Sequence, residues 1–353
     1  MAIENSPKSA EKIASIDHLL SRILLLLPLK SLLRFKSVSK PWLALISSPE
    51  FCRLRLPYPN PAAGLLLQPA SDHHPVDYSC NGLLLLRSKH GHHIYNPTTN
   101  SCSDILELGE KLGEIREMSL AFDPPESRYS VICVRSLGTD YSRFVIGIYS
   151  SGTRSWRPWG DPFPADVDFR KGVYWKGAVH WVSVTGGNSL CFKVADQVLD
   201  KMPVLPHRYI PIARAFSSDY LLIQSCGSLH FVEYVRAVIR FEVYEMRSDY
   251  SEWFVKYRVN LSPVVPRNRE MDFGYVNPLG WFNWNFSVLS IVRGEREEDS
   301  FLVLQTPSKI IRYNLVCQTF ENLYEFEEGV VVEGSLRYSC VGGFEYIESL
   351  CCV

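Results

Sequence analysis

Two periodicities divide the chain. From residue 15, apolar residues recur at helical spacing: Leu19, Leu20, Ile23, Leu24 and Leu27 fall at i, i+1, i+4, i+5 and i+8, with Ser15 or Asp17 placed to cap the run and Pro28 to end it. A short second helix is predicted through Leu32, Leu33 and Phe35. A third follows Ser39, with Pro41 in its first turn, where a missing N–H does no harm, and Trp42, Leu45 and Ile46 along one side. Ser48-Pro49-Glu50 opens a further turn carrying Phe51, Leu54 and Leu56. Residues 1–14, rich in Ser, Lys and Glu, are expected to be disordered. Residues 57–75, where Pro57, Pro59 and Pro61 stand close together, read as a stiff linker and boundary. Beyond it, over residues 76–353, the helical period is gone. Short β-rich runs such as residues 82–86, 129–134, 143–149, 229–233, 239–245 and 301–305 alternate with turns, a pattern of sandwiches, barrels and propellers.

A degraded repeat favours the propeller. One unit is a Gly turn entering an apolar strand: Asn81-Gly82-Leu83, Gly177-Ala178-Val179-His180-Trp181 and Gly227-Ser228-Leu229-His230-Phe231. The other is a strand, a polar turn and an aromatic-bearing strand, as from Ile148 to Trp156, Phe241 to Trp253 and Arg312 to Phe320. A blade of ~40–50 residues with four strands is the propeller period, so the segment has room for about six blades, one of them incomplete and closed by strands from both ends. Stacked sheets of sandwich type are the alternative.

The helical segment is too short and too rich in leucine to bury itself, since a unit under ~40 residues rarely builds a sufficient core. Its surplus apolar surface either meets a partner or packs on the second domain. Between His18 and Ser48 the only charged side chains are basic (Arg22, Lys30, Arg34, Lys36 and Lys40), which suits a partner acidic at its rim.

Composition narrows the classes. A hydrophobic fraction of 46% is ample for a packed core, and 37 Lys plus Arg against 38 Asp plus Glu leave no global field to draw nucleic acid or anionic lipid. The longest apolar run of the helical segment stops at Pro28, far short of the ~20 residues of a membrane span, and the first residues lack the apolar stretch of a secretory signal. Ten cysteines occur without a C-x-x-C pair, a usage that fits reduced thiols in the cytoplasm or nucleus.

Chemistry-bearing motifs are sparse. No P-loop, dinucleotide fingerprint, nucleophile elbow or H-E-x-x-H is present, so neither a catalytic residue nor a cofactor or metal is expected. His90, His92 and His93 read as a hairpin turn, and residues 294–299 as a solvated charged tip. His180 and His230, in equivalent repeat positions, read as hydrogen-bonded members of a blade. The stretch from Asn277 to Phe286 packs aromatics beside amides. If Phe282, Trp284 and Phe286 face inward by strand alternation, Trp281, Asn283 and Asn285 face outward and are the candidates for holding a target.

Residues 16–51 resemble the F-box of the large plant F-box family, through Leu27-Pro28, Val38-Ser39-Lys40 and Trp42 in order. Ser15-Ile16 stands where that motif often opens on Leu-Pro, and Arg22 where an acidic residue is common. Further on, Ser79-Cys80-Asn81-Gly82, Tyr95-Asn96-Pro97-Thr98-Thr99, Ala121-Phe122-Asp123-Pro124 and Phe241-Glu242-Val243-Tyr244 are similar to landmarks of the F-box-associated, kelch-like domain. The resemblance implies a multidomain α plus all-β chain: a small three-helix F-box over residues 15–56, then a β-propeller-like domain of about six blades. It implies a non-catalytic substrate receptor of a Skp–cullin–F-box ubiquitin ligase, with a Skp-family adaptor, a cullin held through that adaptor and an unidentified target as partners. Leu19, Leu20, Ile23, Leu27, Pro28, Leu32, Val38 and Trp42 would then either face the adaptor or hold the helices that do. A binding or regulatory propeller outside any ligase, lectin-like or using the adaptor alone, is the other reading.

Overall fold

The computed structural model describes residues 17–55, 63–69, 75–106, 113–123, 128–138, 142–206, 218–235, 238–264, 272–276, 282–284, 286–326, 340–350 and 353. Residues 1–14, expected to be disordered, lie outside them.

The helical segment forms four helices, α1 (Asp17–Leu25), α2 (Leu29–Phe35), α3 (Lys40–Ile46) and α4 (Pro49–Arg55), not three. The fourth arises where a single turn was expected. Ser48 Oγ accepts from the Phe51 N–H at 3.2 Å, Pro49 takes the first position, and Phe51 and Cys52 turn into the core. Ser39 caps α3 in the same way, accepting from the Trp42 N–H at 3.3 Å. Leu20, Leu24, Leu29, Leu32, Ile46, Phe51 and Cys52 form the centre of the unit, with Phe35 edge-on to Trp42 at 5.4 Å.

The strands begin with β1 (Gly64–Pro69), inside the stretch read as linker. Five four-stranded antiparallel blades follow. Blade 1 is β2 (Val76–Cys80), β3 (Leu83–Ser88), β4 (Gly91–Asn96) and β5 (Ser101–Ile105). Blade 2 is β6 (Glu114–Asp123), β7 (Arg128–Leu137), β8 (Arg143–Ser150) and β9 (Ser155–Phe163). Blade 3 is β10 (Val173–Trp175), β11 (Ala178–Trp181), β12 (Ser189–Lys193) and β13 (Val198–Met202). Blade 4 is β14 (Ser218–Ser225), β15 (Ser228–Val235), β16 (Arg240–Met246) and β17 (Trp253–Asn260). A small hairpin, β18 (Asp272–Val276) with β19 (Phe282–Trp284), precedes blade 5, which is β20 (Ser287–Val292), β21 (Phe301–Gln305), β22 (Lys309–Asn314) and β23 (Phe320–Glu325). Last comes β24 (Cys340–Tyr346), antiparallel to β1.

The expected count of about six blades is therefore corrected to five. Among the described residues, the remaining place, between β20 and β2, holds the two-stranded β1–β24 sheet, the expected incomplete unit closed from both ends, since one of its strands precedes blade 1 and the other follows blade 5. Each blade turns its first strand inward: β2 adjoins β6, β6 adjoins β10, β10 adjoins β14, and β14 adjoins β20. The apolar core lies in layers between successive blades. Leu83, Leu85 and Ile94 of blade 1 meet Leu120, Phe122 and Val131 of blade 2, for example, and Val243 and Val259 of blade 4 meet Ile291 and Leu302 of blade 5.

The recurrent Gly unit is a tight hairpin. Asn81 and Gly82 (φ 48° and 84°), Lys176 and Gly177 (46° and 78°), and Cys226 and Gly227 (46° and 79°) have the paired positive φ of type I′ turns, whose twist matches the flanking strands. Strict alternation then puts the first and third turns of every blade on one face of the ring. The strand ends that lead into the middle turns and the crossovers point to the other, the loop face.

Candidate functional site

With its core completed by Leu350 from beyond β24, the helical unit still shows large apolar side chains. Ile23, Leu26, Val38, Leu43 and Leu54 are exposed, Leu26 at 86% and Val38 at 59%. Of the residues singled out from sequence, Ile23, Pro28 and Val38 are on this surface, Leu19, Leu27 and Trp42 are half-buried, and Leu20 and Leu32 are interior. Sequence reasoning missed Leu26, Leu43 and Leu54. The first was legible: Leu26 stands at i+3 from Ile23, on the same side of α1, where its N–H donates to the Ile23 carbonyl at 3.2 Å. Arg22, Lys30, Arg34 and Lys40 are exposed among these residues, and no acidic residue occurs between His18 and Pro49. Arg55 closes the unit, donating from Nη2 to the Leu27 carbonyl at 3.2 Å.

Of the residues suggested for target contact, one falls on the small hairpin that lies between blades 4 and 5 in the chain. Asn283 is in β19; Trp281 and Asn285 lie outside the described residues. The neighbouring Phe286 does point inward, fully buried and stacked with Tyr234 and Phe241 at 5.5 and 6.3 Å.

Of the three histidines read as a hairpin turn only His90 is in the turn, because pairing with β3 extends β4 back to Gly91 and takes His92 and His93 into the strand. His92 Nε2 is 3.5 Å from Asp77, whereas His93 places Nδ1 2.8 Å from Asp104 and Nε2 2.7 Å from Ser88 Oγ. That order of groups resembles a nucleophile–base–acid relay, but Asp104 has 83% of its side chain in solvent and the Ser88 hydroxyl also reaches the Gly91 carbonyl. The arrangement therefore holds a hairpin. His180 is the hydrogen-bonded blade residue expected: Nδ1–H donates to the Val173 carbonyl at 3.1 Å and Nε2 accepts from Tyr250 at 2.9 Å. Its burial lowers its pKa to about 4. His230 differs. Its ring lies 3.8 Å from Glu245 with no hydrogen bond to either nitrogen, and burial, reinforced by Arg293 and Lys256, lowers its pKa to about 3.

The charged tip is solvated as expected, with Glu295, Arg296, Glu297 and Glu298 exposed, and it is also pinned to the neighbouring blade. Glu297 accepts from Lys256 at 2.6 Å, Tyr257 at 2.5 Å and Arg293 at 3.1 Å, and Arg293 also holds Glu245 at 2.7 Å. On the inner wall, Glu117 of β6 accepts from the Gly172 N–H at 2.6 Å and from Trp181 Nε1, and burial raises its carboxyl to about 8. Glu345 of β24 accepts from Ser225, and burial raises it to about 7. Among the described residues, no group of three or more His, Cys, Asp or Glu is placed to hold a metal ion. Cys52, Cys80, Cys133 and Cys191 are buried thiols, while Cys102 and Cys317 are exposed thiols.

Comparison with known proteins agrees with this architecture. Residues 17–54 match the model of the F-box domain, and residues 68–243 that of the F-box associated beta propeller domain. An F-box protein of Arabidopsis thaliana is 30% identical over 380 residues, an alignment covering 91% of this chain and 88% of the relative. A second Arabidopsis F-box protein is 26% identical over 52% of this chain and 58% of its own length. Arabidopsis F-box only protein 8 is 26% identical over 53% of this chain and 79% of its own length. A capped four-helix unit with exposed apolar side chains, set on a five-bladed ring in a chain matched along nine-tenths of its length by such a relative, places the chain in the family of F-box proteins with an F-box associated β-propeller domain.

Proposed function

We propose that the chain is the substrate-recognition subunit of a Skp–cullin–F-box ubiquitin ligase. The observation that carries this reading is the exposed set Ile23, Leu26, Pro28, Val38, Leu43 and Leu54, accompanied by exposed basic side chains, on a unit whose core Leu350 already completes. Such a surface is costly in water unless a partner covers it, and a partner with apolar grooves and an acidic rim is the complement. The adaptor takes this surface and brings the cullin, and the loop face of the ring holds the target protein. The complex works in the cytoplasm or nucleus. No bond is made or broken by this chain. Its contribution is to hold a target lysine near a charged ubiquitin carrier, raising its effective concentration.

The test is co-expression of the full chain with a Skp-family adaptor and a cullin, followed by affinity capture. Wild type retains both, and Leu26→Asp, which changes an exposed side chain only, retains neither. Capture of adaptor and cullin by Leu26→Asp at wild-type yield would refute the surface assignment, and capture of neither by wild type would refute the ligase role.

A further inference from the structure

Residues 347–350, directly after β24, lie between the helical unit and blade 1. On one side Leu350, 2% exposed, completes the apolar core of the four helices, and the Cys52 thiol donates to its carbonyl at 3.4 Å. On the other side Ser349, also buried, is held by blade 1. Its carbonyl accepts from Asn96 Nδ2 at 3.0 Å, and its N–H donates to Thr98 Oγ1 at 3.2 Å. Asn96 is wholly buried, and its Oδ1 accepts from the Thr98 N–H at 2.9 Å, so its own turn orients the amide that grips Ser349. Gly82 allows the approach. A Cβ there would collide with the Ile347 carbonyl and stand 2.6 Å from Ser349 Cβ.

These features exceed what a blade needs. The equivalent turn of blade 3 has Gly177 with nothing within 4 Å of such a Cβ. A buried side-chain amide is kept only where its hydrogen bonds are made, and here one of them goes to backbone outside its own blade.

We infer that Gly82, Asn96 and Leu350 are positioning residues that lock the helical unit to the turn side of blade 1. The locked segment is continuous with β24, the strand that fills the place between blades 5 and 1. Closure of the ring and seating of the helices are thus one event. The exposed surface around Leu26 keeps a fixed direction relative to the loop face. The value of that fixed direction rests on the ligase reading, because a target must be held at a defined distance from a carrier bound through the helices. The lock itself does not depend on that reading.

Hydrogen–deuterium exchange and small-angle scattering on the full chain test it, with wild type, Asn96→Ala, Leu350→Gly and Leu350→Met. In Asn96→Ala and Leu350→Gly, exchange in α1 and α4 rises at least ~10-fold and the maximum dimension grows, while β11 and β15 keep wild-type protection. Leu350→Met, which keeps the apolar volume, matches wild type. Unchanged exchange and scattering in both disrupting variants would overturn the lock. So would equal loss of protection in β11 and β15, which would make these residues general supports of the ring. Should wild type bind no adaptor while the exchange pattern comes out as described, the ligase reading falls and the lock stands.

Discussion

Glu117 joins blade 2 to blade 3 through hydrogen bonds from the Gly172 N–H and Trp181 Nε1, and Gly172 exists for that approach: a Cβ there would lie 2.5 Å from Trp181 Nε1 and 2.6 Å from Glu117. Gly172→Ala should therefore lower the melting temperature, whereas Gly177→Ala is penalised only by its positive φ. The buried titrating groups also set a pH profile. Glu117 and Glu345 have native pKa values raised to about 8 and about 7, so their contribution is full below the unfolded carboxyl pKa and is lost as pH climbs through those values. His180 and His230, lowered to about 4 and about 3, act oppositely: their contribution is full above the unfolded imidazole pKa and is lost as pH falls through the native values. Denaturant midpoints should fall on both sides of a mildly acidic maximum, and Glu117→Gln should flatten the alkaline limb. A profile identical to wild type would show that this carboxyl is not protonated in the native ring. The histidines were legible because the Gly-turn repeat places both alike. Glu117 was not, since its two partners lie 55 and 64 residues away and no local spacing marks it.

At the scale of elements, the helical unit divides its leucines between two tasks. Leu32→Ala removes wholly buried volume and should cost about 2–5 kcal/mol, while Leu26→Ala should stay within ~0.5 kcal/mol and act on binding alone. Ser39→Ala, deleting the cap of α3, should cost about 1 kcal/mol. Urea melts of the three variants check the order. Helix positions and caps were legible from Ser39, Pro41 and the spacing of Leu19 to Leu27. The fourth helix was not, because Ser48-Pro49 reads equally well as a turn until Phe51 and Cys52 are seen to enter the core. Type I′ hairpins were visible as Asn-Gly and x-Gly pairs. Blade number was not: β1 follows a proline-rich stretch and reads as linker, and its partner β24 is nearly the whole chain away.

Over the whole molecule, the helices sit on the turn side of blade 1, where Leu350 enters their core and Ser349 is held by Asn96 and Thr98. On the proposed ligase reading, an adaptor-facing surface and a target-facing surface on opposite sides of one ring would make a rigid spacer, the geometry a receptor needs to present a lysine. The balance of 37 basic and 38 acidic residues left the basic rim of the helices hidden in the total, and it emerged only segment by segment. The most direct measurement is a calorimetric titration of the full chain with a purified Skp-family adaptor, wild type against Leu26→Asp. Saturable binding by wild type, weakened at least ~100-fold in the variant with its melting temperature unchanged, is the expected result. Equal affinity in the two proteins, or no binding by a folded wild type, would contradict it.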